Sequence, residues 1–287
     1  MNERPPGTSG LSEQFPSAEV SAVGASNAPA QPHLLALAER VAQEAGSLLL
    51  ERFERGTEPA LASKSTPTDL VSEADLASER LIRERLASER PDDAFLGEEG
   101  GGEQGTSGLT WVVDPLDGTV NFLFGLPQWC VSVAVRDSQG ELAGAIFDPC
   151  RDELFCATRD GDALLNGQRL SAPVGRCESL AQALVATGFA YDARVRDAQA
   201  EVLARLLGRV RDIRRCGSAA LDLAWTAAGR YDAYFERTVK PWDIAAGTLV
   251  CQRVGLQLRE LPERPGLPWG VMVASAEIGQ DLAALVG

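Results

Sequence analysis

The stretch WVVDPLDGTVNFLFG occupies residues 111–125. An apolar run, Trp111-Val112-Val113, ends in Asp114-Pro115-Leu116-Asp117-Gly118-Thr119, and a second apolar run begins at Val120. The pattern reads as a buried strand that delivers two carboxylates to its end. Pro115 lacks an amide hydrogen and predicts that a central strand stops there. Gly118 permits a backbone conformation that other residues avoid. The amides of Gly118 and Thr119 are placed to bind an anion, and Thr119 adds a hydroxyl. Two carboxylates so close together repel in a low-dielectric site. A hard divalent cation removes that repulsion, and an oxygen-only donor set suits Mg²⁺. Two such cations about 4 Å apart orient a phosphate ester and activate an attacking water.

Three other acidic stretches belong with this one: GEEG with Glu98 and Glu99, PWDIAAG with Asp243, and TPTD with Asp69. Each lies where a loop meets a strand or helix. Taken alone, each has a plainer reading, since an aspartate at a helix start caps the helix; Asp243 fits that role as it stands.

Composition narrows the chemistry. The chain has 287 residues, 45% of them hydrophobic, and a formal charge of −14. That charge disfavours a nonspecific nucleic-acid or anionic-membrane binder. The single histidine, His33, leaves no basis for a histidine triad or zinc site. The six cysteines show no metal-ligand spacing and read as reduced, buried thiols of a cytoplasmic protein. No run approaches the length of a membrane span.

Residues 1–32, rich in Pro, Gly, Ser and Ala, predict a disordered leader. Residues 33–287 predict one catalytic domain of two subdomains, divided near residue 176. Leu34, Leu37, Val41, Ala45, Leu48 and Leu49 recur at helical spacing. Ser72-Glu73-Ala74-Asp75 resembles a capping box, with Asp in place of Glu, and opens a second helix over 72–90. QWCVSVAVRD and ELAGAIFDP predict strands, and DELFCATRDGDALLNGQRL predicts paired strands with Asp-Gly and Asn-Gly turns. Beyond residue 176 strands and helices alternate to the final strand candidate, WGVMVASA. An early helix pair, a central sheet and a later α/β half predict stacked layers of mixed α/β class.

GEE, WVVDPLDGTVNF and PWDIAAG, in that order, resemble the inositol monophosphatase family of Mg²⁺-dependent, lithium-sensitive phosphatases. The looser resemblance runs from about residue 34 to the C-terminus and takes in KSTPTDLVSEAD and ATRDGDALLNGQRL. It implies an alternating α/β/α/β/α sandwich of the inositol monophosphatase/fructose-1,6-bisphosphatase type, usually a homodimer. It implies Mg²⁺, two or three ions, held by Glu98, Asp114, the carbonyl of Leu116, Asp117 and Asp243, with Glu99 behind Glu98. It implies that Thr119, hydrogen-bonded to Asp69, orients and deprotonates the attacking water with Glu98 nearby, and that Lys64 supports the site. Gly118 and Thr119 would hold phosphate. Glu236, in AYFER, would receive sugar hydroxyls, and Gly217, Ser218 and Ala219, in CGSAA, would line the sugar. Plainer readings stand beside the last two: a solvated strand-end charge for Glu236, a helix N-terminus for CGSAA.

Val-Asn-Phe after DGT resembles the inositol-phosphatase branch. The expected substrate is therefore inositol 1-phosphate or a related polyol phosphate. Histidinol phosphate, fructose 1,6-bisphosphate and adenosine 3′,5′-bisphosphate are the alternatives, and a regulatory binding protein of the same fold is the rival from another class. A haloacid-dehalogenase-type phosphatase places one residue, not two, between its aspartates. An EF-hand requires ligands at alternate positions.

Overall fold

The computed structural model describes residues 31–56, 62–63, 70–171 and 175–287. Asp69 and Lys64 lie outside the described residues. Seven helices are described: α1 Gln31–Arg55, α2 Glu73–Glu89, α3 Thr119–Leu123, α4 Ala193–Leu207, α5 Ala219–Ala227, α6 Pro241–Arg253 and α7 Ala276–Val286. The strands are β1 Ala62–Ser63, β2 Leu70–Val71, β3 Ala94–Gly97, β4 Gly101–Glu103, β5 Thr110–Asp117, β6 Cys130–Asp137, β7 Gly140–Asp148, β8 Glu153–Thr158, β9 Leu164–Leu165, β10 Gln168–Arg169, β11 Leu184–Thr187, β12 Asp212–Arg214, β13 Ala233–Arg237, β14 Gln257–Leu261 and β15 Gly270–Ala274.

Eight strands form the first large sheet, in the order β10-β9-β8-β7-β6-β5-β3-β4, and five form the second, β12-β11-β13-β15-β14. Strand alternation sends neighbouring side chains to opposite faces, and the core divides accordingly. Val113, Val131, Val133 and Val135 meet α1 and α2 through Leu37, Val41, Leu49 and Ile82. On the other face Val112, Ala134 and Ile146 meet Ala220, Leu221 and Ala224 of α5 and Ala246 of α6. Those two helices bury their opposite sides, including Leu223, Leu249 and Val250, against Tyr234, Val271 and Val273 of the second sheet. Val185, Phe235 and Met272 face outward to Val202 and Leu206 of α4 and Ile278 and Leu282 of α7. The layers therefore run α/β/α/β/α. Gly144 brings α6 against β7: a Cβ there would stand 2.9 Å from the Ala246 Cα.

Three local expectations need correction. Helix α1 begins at Gln31, inside the stretch read as leader; Pro32 fits a first helical turn, where no amide donor is needed. Strand β5 does not stop at Pro115 but continues to Asp117. Asp114 pairs with Ser132 and Asp117 with Cys130, so three steps along β5 oppose two along β6. The extra residue is a β-bulge, which is where a strand accommodates proline. Helix α7, a strand at 94–97 and one at 101–103 within the Gly-rich stretch were not expected; the last gains its ladder only by pairing with β3.

Elsewhere local chemistry gave the local structure. Ser72 caps α2, and Asp75 returns the capping-box bond to the Ser72 amide at 2.8 Å. Asn166 and Gly167, both at positive φ, turn β9 into β10.

Candidate active site

Ligands in open α/β sheets gather beyond the carboxyl ends of parallel strands. Both large sheets contain parallel strands, β3 beside β5 in the first and β11 beside β13 in the second. The loops that leave those four strands, together with the starts of α5 and α6, surround one cavity of about 540 Å³. Glu98 follows β3, Asp114 and Asp117 end β5, Gly118 and Thr119 start α3, Glu236 lies in β13, and Asp243 sits in the first turn of α6; all line the cavity, as do Leu116, Gly217 and Ala219. Ser218 does not. It is the N-cap of α5, fully buried, and its hydroxyl donates to Asp117 Oδ2 at 2.6 Å. Ser218 holds Asp117 and does not line the cavity.

Gly118 has φ +100°, and a Cβ there would stand 2.8 Å from the Gln128 carbonyl. The position requires glycine on both counts. Asp114 Oδ1 accepts the Leu116 amide at 3.0 Å, closing the turn on itself. Asp117 accepts the Ala220 amide at 2.7 Å and the Ala219 amide at 3.3 Å besides Ser218. Asp243 accepts the Lys240 amide at 2.7 Å, so it caps α6 while facing the cavity. Thr119 Oγ1 lies 2.8 Å from Asp75 Oδ1 and 3.1 Å from the Leu116 carbonyl. The expected bond from Thr119 to Asp69 lies outside the described residues.

The electrostatics are those of crowded acids. Burial raises Asp117 to about 6, and the charge of Glu98 adds to it; Ser218 and the α5 amides oppose the rise. Asp243 is pushed well above the usual carboxylate range by burial, then by Glu98 and Asp117. Burial lifts Glu236 to about 7, against the Tyr234 hydroxyl and the nearby Arg215 guanidinium. Among the described residues no three acidic, thiol or imidazole groups form a ready-made cation cage. The carboxylates are spread around the wall instead. Their chemistry nevertheless fits a hard cation: every donor is an oxygen, and the positive charge of a divalent ion would offset the burial, and the added repulsion, that lift Asp117 and Asp243.

Sequence reasoning missed several wall residues. Arg215 lines the cavity next to the CGSAA loop, a position that only its proximity to that motif signalled. Phe189 and Ala190 come from the loop after β11. Gly188 just before them makes room for Glu236: a Cβ there would stand 2.0 Å from Glu236 Oε1. Asn121 ties two loops together, its amide donating to the Gln128 carbonyl at 2.7 Å and to the Cys216 carbonyl at 2.9 Å.

Residues 31–285 match the inositol monophosphatase family. The chain belongs to that family. Inositol-1-monophosphatase SuhB of Mycobacterium tuberculosis is 41% identical over 276 residues, covering 90% of this chain and 94% of the relative. Nus factor SuhB of Escherichia coli is 39% identical over 224 residues, 77% of this chain and 83% of the relative. The crystal structure of extragenic suppressor protein suhB from Bartonella henselae superposes with a TM-score of 0.81 at 31% identity, covering 88% of this chain and 98% of that one. The structure of Mycobacterium tuberculosis SuhB gives 0.76 at 37% identity, over 90% and 96%. The family resemblance and layered α/β fold read from the sequence are thus shown. No helix among the described residues is long and apolar enough to cross a membrane.

Proposed function

We propose that this family member is a Mg²⁺-dependent phosphomonoesterase acting on inositol 1-phosphate or a related polyol phosphate. The observation that carries the reading is the meeting, on one cavity, of Glu98, Asp114, Leu116, Asp117 and Asp243 with Thr119 and Glu236. The first five are the cation-holding set. When bound, Mg²⁺ supplies charge that screens the phosphate and lowers the pKa of an attacking water.

The chain's own groups do the rest. The amides of Gly118 and Thr119, at the start of α3, hold phosphate oxygens. The Thr119 hydroxyl donates its one hydrogen toward Asp75 or the Leu116 carbonyl and so offers lone pairs to a water in the cavity. Glu98, beside the same space, is the second acceptor for that water's proton. Glu236 accepts hydroxyls of the leaving alcohol, while Gly217 and Ala219 form the wall beneath it. The protein works as a cytoplasmic homodimer in this reading.

Relatives carry both an enzymatic and a Nus-factor name. The meeting of the five cation-holding positions with Thr119 on one cavity favours catalysis. Phosphate release from inositol 1-phosphate, with Mg²⁺ and with EDTA, is the deciding experiment, run beside fructose 1,6-bisphosphate, histidinol phosphate and adenosine 3′,5′-bisphosphate. Mg²⁺-independent turnover, or none on any of these esters, refutes the reading.

A further inference from the structure

Glu236 shares its part of the cavity wall with a cation, Arg215. Burial raises the Glu236 carboxyl, and the Tyr234 hydroxyl and the Arg215 guanidinium oppose that rise. Neither charged group is committed elsewhere. The Tyr234 hydroxyl donates to Glu236 Oε2 at 3.0 Å, which leaves Oε1 open among the described residues. Arg214, one residue earlier, is paired with Asp212 at 2.6 Å, whereas Arg215 makes no hydrogen bond or ion pair among the described residues. Asp222, also near the guanidinium, is buried, and neither of its oxygens has a hydrogen-bond partner among the described residues. Burial, then the charge of Glu236, raises it well above the usual carboxylate range, so it is protonated and offers Arg215 no counter-charge.

The backbone beside Arg215 is fixed. Asn121 of α3 donates to the Cys216 carbonyl at 2.9 Å and to the Gly217 carbonyl at 3.3 Å. The Phe189 ring centre lies 5.9 Å from the guanidinium carbon, at the outer limit of cation–π attraction. Gly217 has φ +86°, and a Cβ there would stand 2.5 Å from Arg215 Nη1. The guanidinium therefore takes space that any other residue at 217 would fill. The wall carries two such clearances, Gly188 against Glu236 and Gly217 against Arg215.

We propose that Arg215 is a specificity-determining residue that works with Glu236 as a donor–acceptor pair, and that the pair reads two neighbouring hydroxyls of the leaving alcohol. The proposal rests on the phosphatase reading and narrows its substrate class to alcohols with a vicinal diol. A hydroxyl donates its hydrogen and accepts on its oxygen. One hydroxyl donates to Glu236 Oε1; its neighbour accepts from the guanidinium, a fixed fork of donors with no acceptor. Ionised partners strengthen both bonds. A second phosphate on the alcohol would also suit the guanidinium, but it would stand beside the Glu236 carboxylate and be repelled. A diol meets each group with its complement, so the acid beside Arg215 decides for hydroxyls over an anion.

The full-length protein is assayed with Mg²⁺ on inositol 1-phosphate and on cyclohexyl phosphate, which has the ring without its hydroxyls. The pH is about 8.5, above the value of about 7 for Glu236, so that a loss in the variant is not a loss of Glu236 charge. Arg215 is exposed, and circular dichroism of Arg215→Met should match that of the parent; Arg215→Ala repeats the test if the methionine variant does not fold. Arg215→Met should lower kcat/KM on inositol 1-phosphate by about 10–100-fold and on cyclohexyl phosphate by less than about threefold. On a Glu236→Gln background its cost on inositol 1-phosphate should be at least about threefold smaller, because one rigid ring carries both hydroxyls. Equal losses on the two esters, strict additivity with Glu236→Gln, or an Arg215→Met enzyme within about twofold of the parent overturn the proposal. So does a loss on fructose 1,6-bisphosphate about tenfold greater than on fructose 1-phosphate, which would assign the guanidinium to a second phosphate. A parent that releases no phosphate refutes the phosphatase reading alone, and calorimetric binding of inositol 1-phosphate then decides for Arg215. Binding at least about threefold weaker in Arg215→Met sustains the proposal, and equal or absent binding overturns it.

Discussion

In the proposed function Glu236 meets the alcohol and not the phosphate, so replacing it by glutamine should separate the two. The carboxylate lines the cavity, is wedged against Gly188, and accepts the Tyr234 hydroxyl at 3.0 Å on Oε2. Glutamine keeps the shape and can still accept from Tyr234, so the change removes charge with little loss of packing. A buried site built to pair substrate hydroxyls discriminates by a few kcal/mol when the pairing is lost. The expected fall in kcat/KM for inositol 1-phosphate is about 10–100-fold, or about 1.4–2.7 kcal/mol. p-Nitrophenyl phosphate, whose leaving group has no hydroxyls to offer, should change less than about threefold. Because burial lifts Glu236 to about 7, the parent passes from about one-tenth to about nine-tenths ionised between pH 6 and 8. The ratio of the two kcat/KM values should therefore rise with pH across that interval in the parent and stay flat in Glu236→Gln. Phosphate-release kinetics on both esters from pH 6 to 8.5 test both statements. Equal losses on the two esters, or a ratio that climbs identically in the variant, would show that Glu236 supports the fold or the cation-holding carboxylates instead.

Three further outcomes follow from the same geometry. Asp114→Asn should fold, with Tm equal to or above that of the parent because clustered negative charge is relieved, yet lose nearly all Mg²⁺-dependent turnover; activity within about tenfold of the parent, about 1.4 kcal/mol of barrier, contradicts its role. Asp117 is raised from 3.8 to about 6 and Glu236 from 4.5 to about 7. The folded state thus retains protons that the unfolded chain has released, and stability should fall as pH rises between about 4 and about 7. Millimolar Mg²⁺ should flatten that fall, and thermal melts at several pH values with Mg²⁺ or EDTA would expose a slope of the opposite sign. Arg237, 3% exposed, donates to the Pro268 carbonyl at 2.7 Å, the Val286 carbonyl at 3.0 Å and the Pro262 carbonyl at 3.1 Å. Arg237→Met leaves those acceptors unpaired and should cost about 2–4 kcal/mol of stability, read from the urea midpoint; an unchanged midpoint would mean that the clamp contributes nothing.

Features set by near neighbours were legible in the sequence. The Ser72 cap with its Asp75 return bond, the Asn166-Gly167 turn and the left-handed Gly118 each depend on a few adjacent atoms, and each stands where the residues placed it. The motif order GEE, DPLDGT, PWD carried the family, and the apolar periodicities carried the layered α/β class. The passage of β5 through Pro115 was not legible, because a bulge exists only in relation to the partner strand β6. Nor was the duty of Ser218, turned to Asp117. Arg215 reads as an ordinary charged residue, and Glu236 is marked only by the family resemblance, until α5 and α6, packed between two sheets, bring the ends of β3 and β5 opposite the end of β13. Short-range stereochemistry is written in consecutive residues. The cavity and the raised pKa values of Asp117, Asp243 and Glu236 arise from burial against groups remote in sequence, and only tertiary packing supplies them.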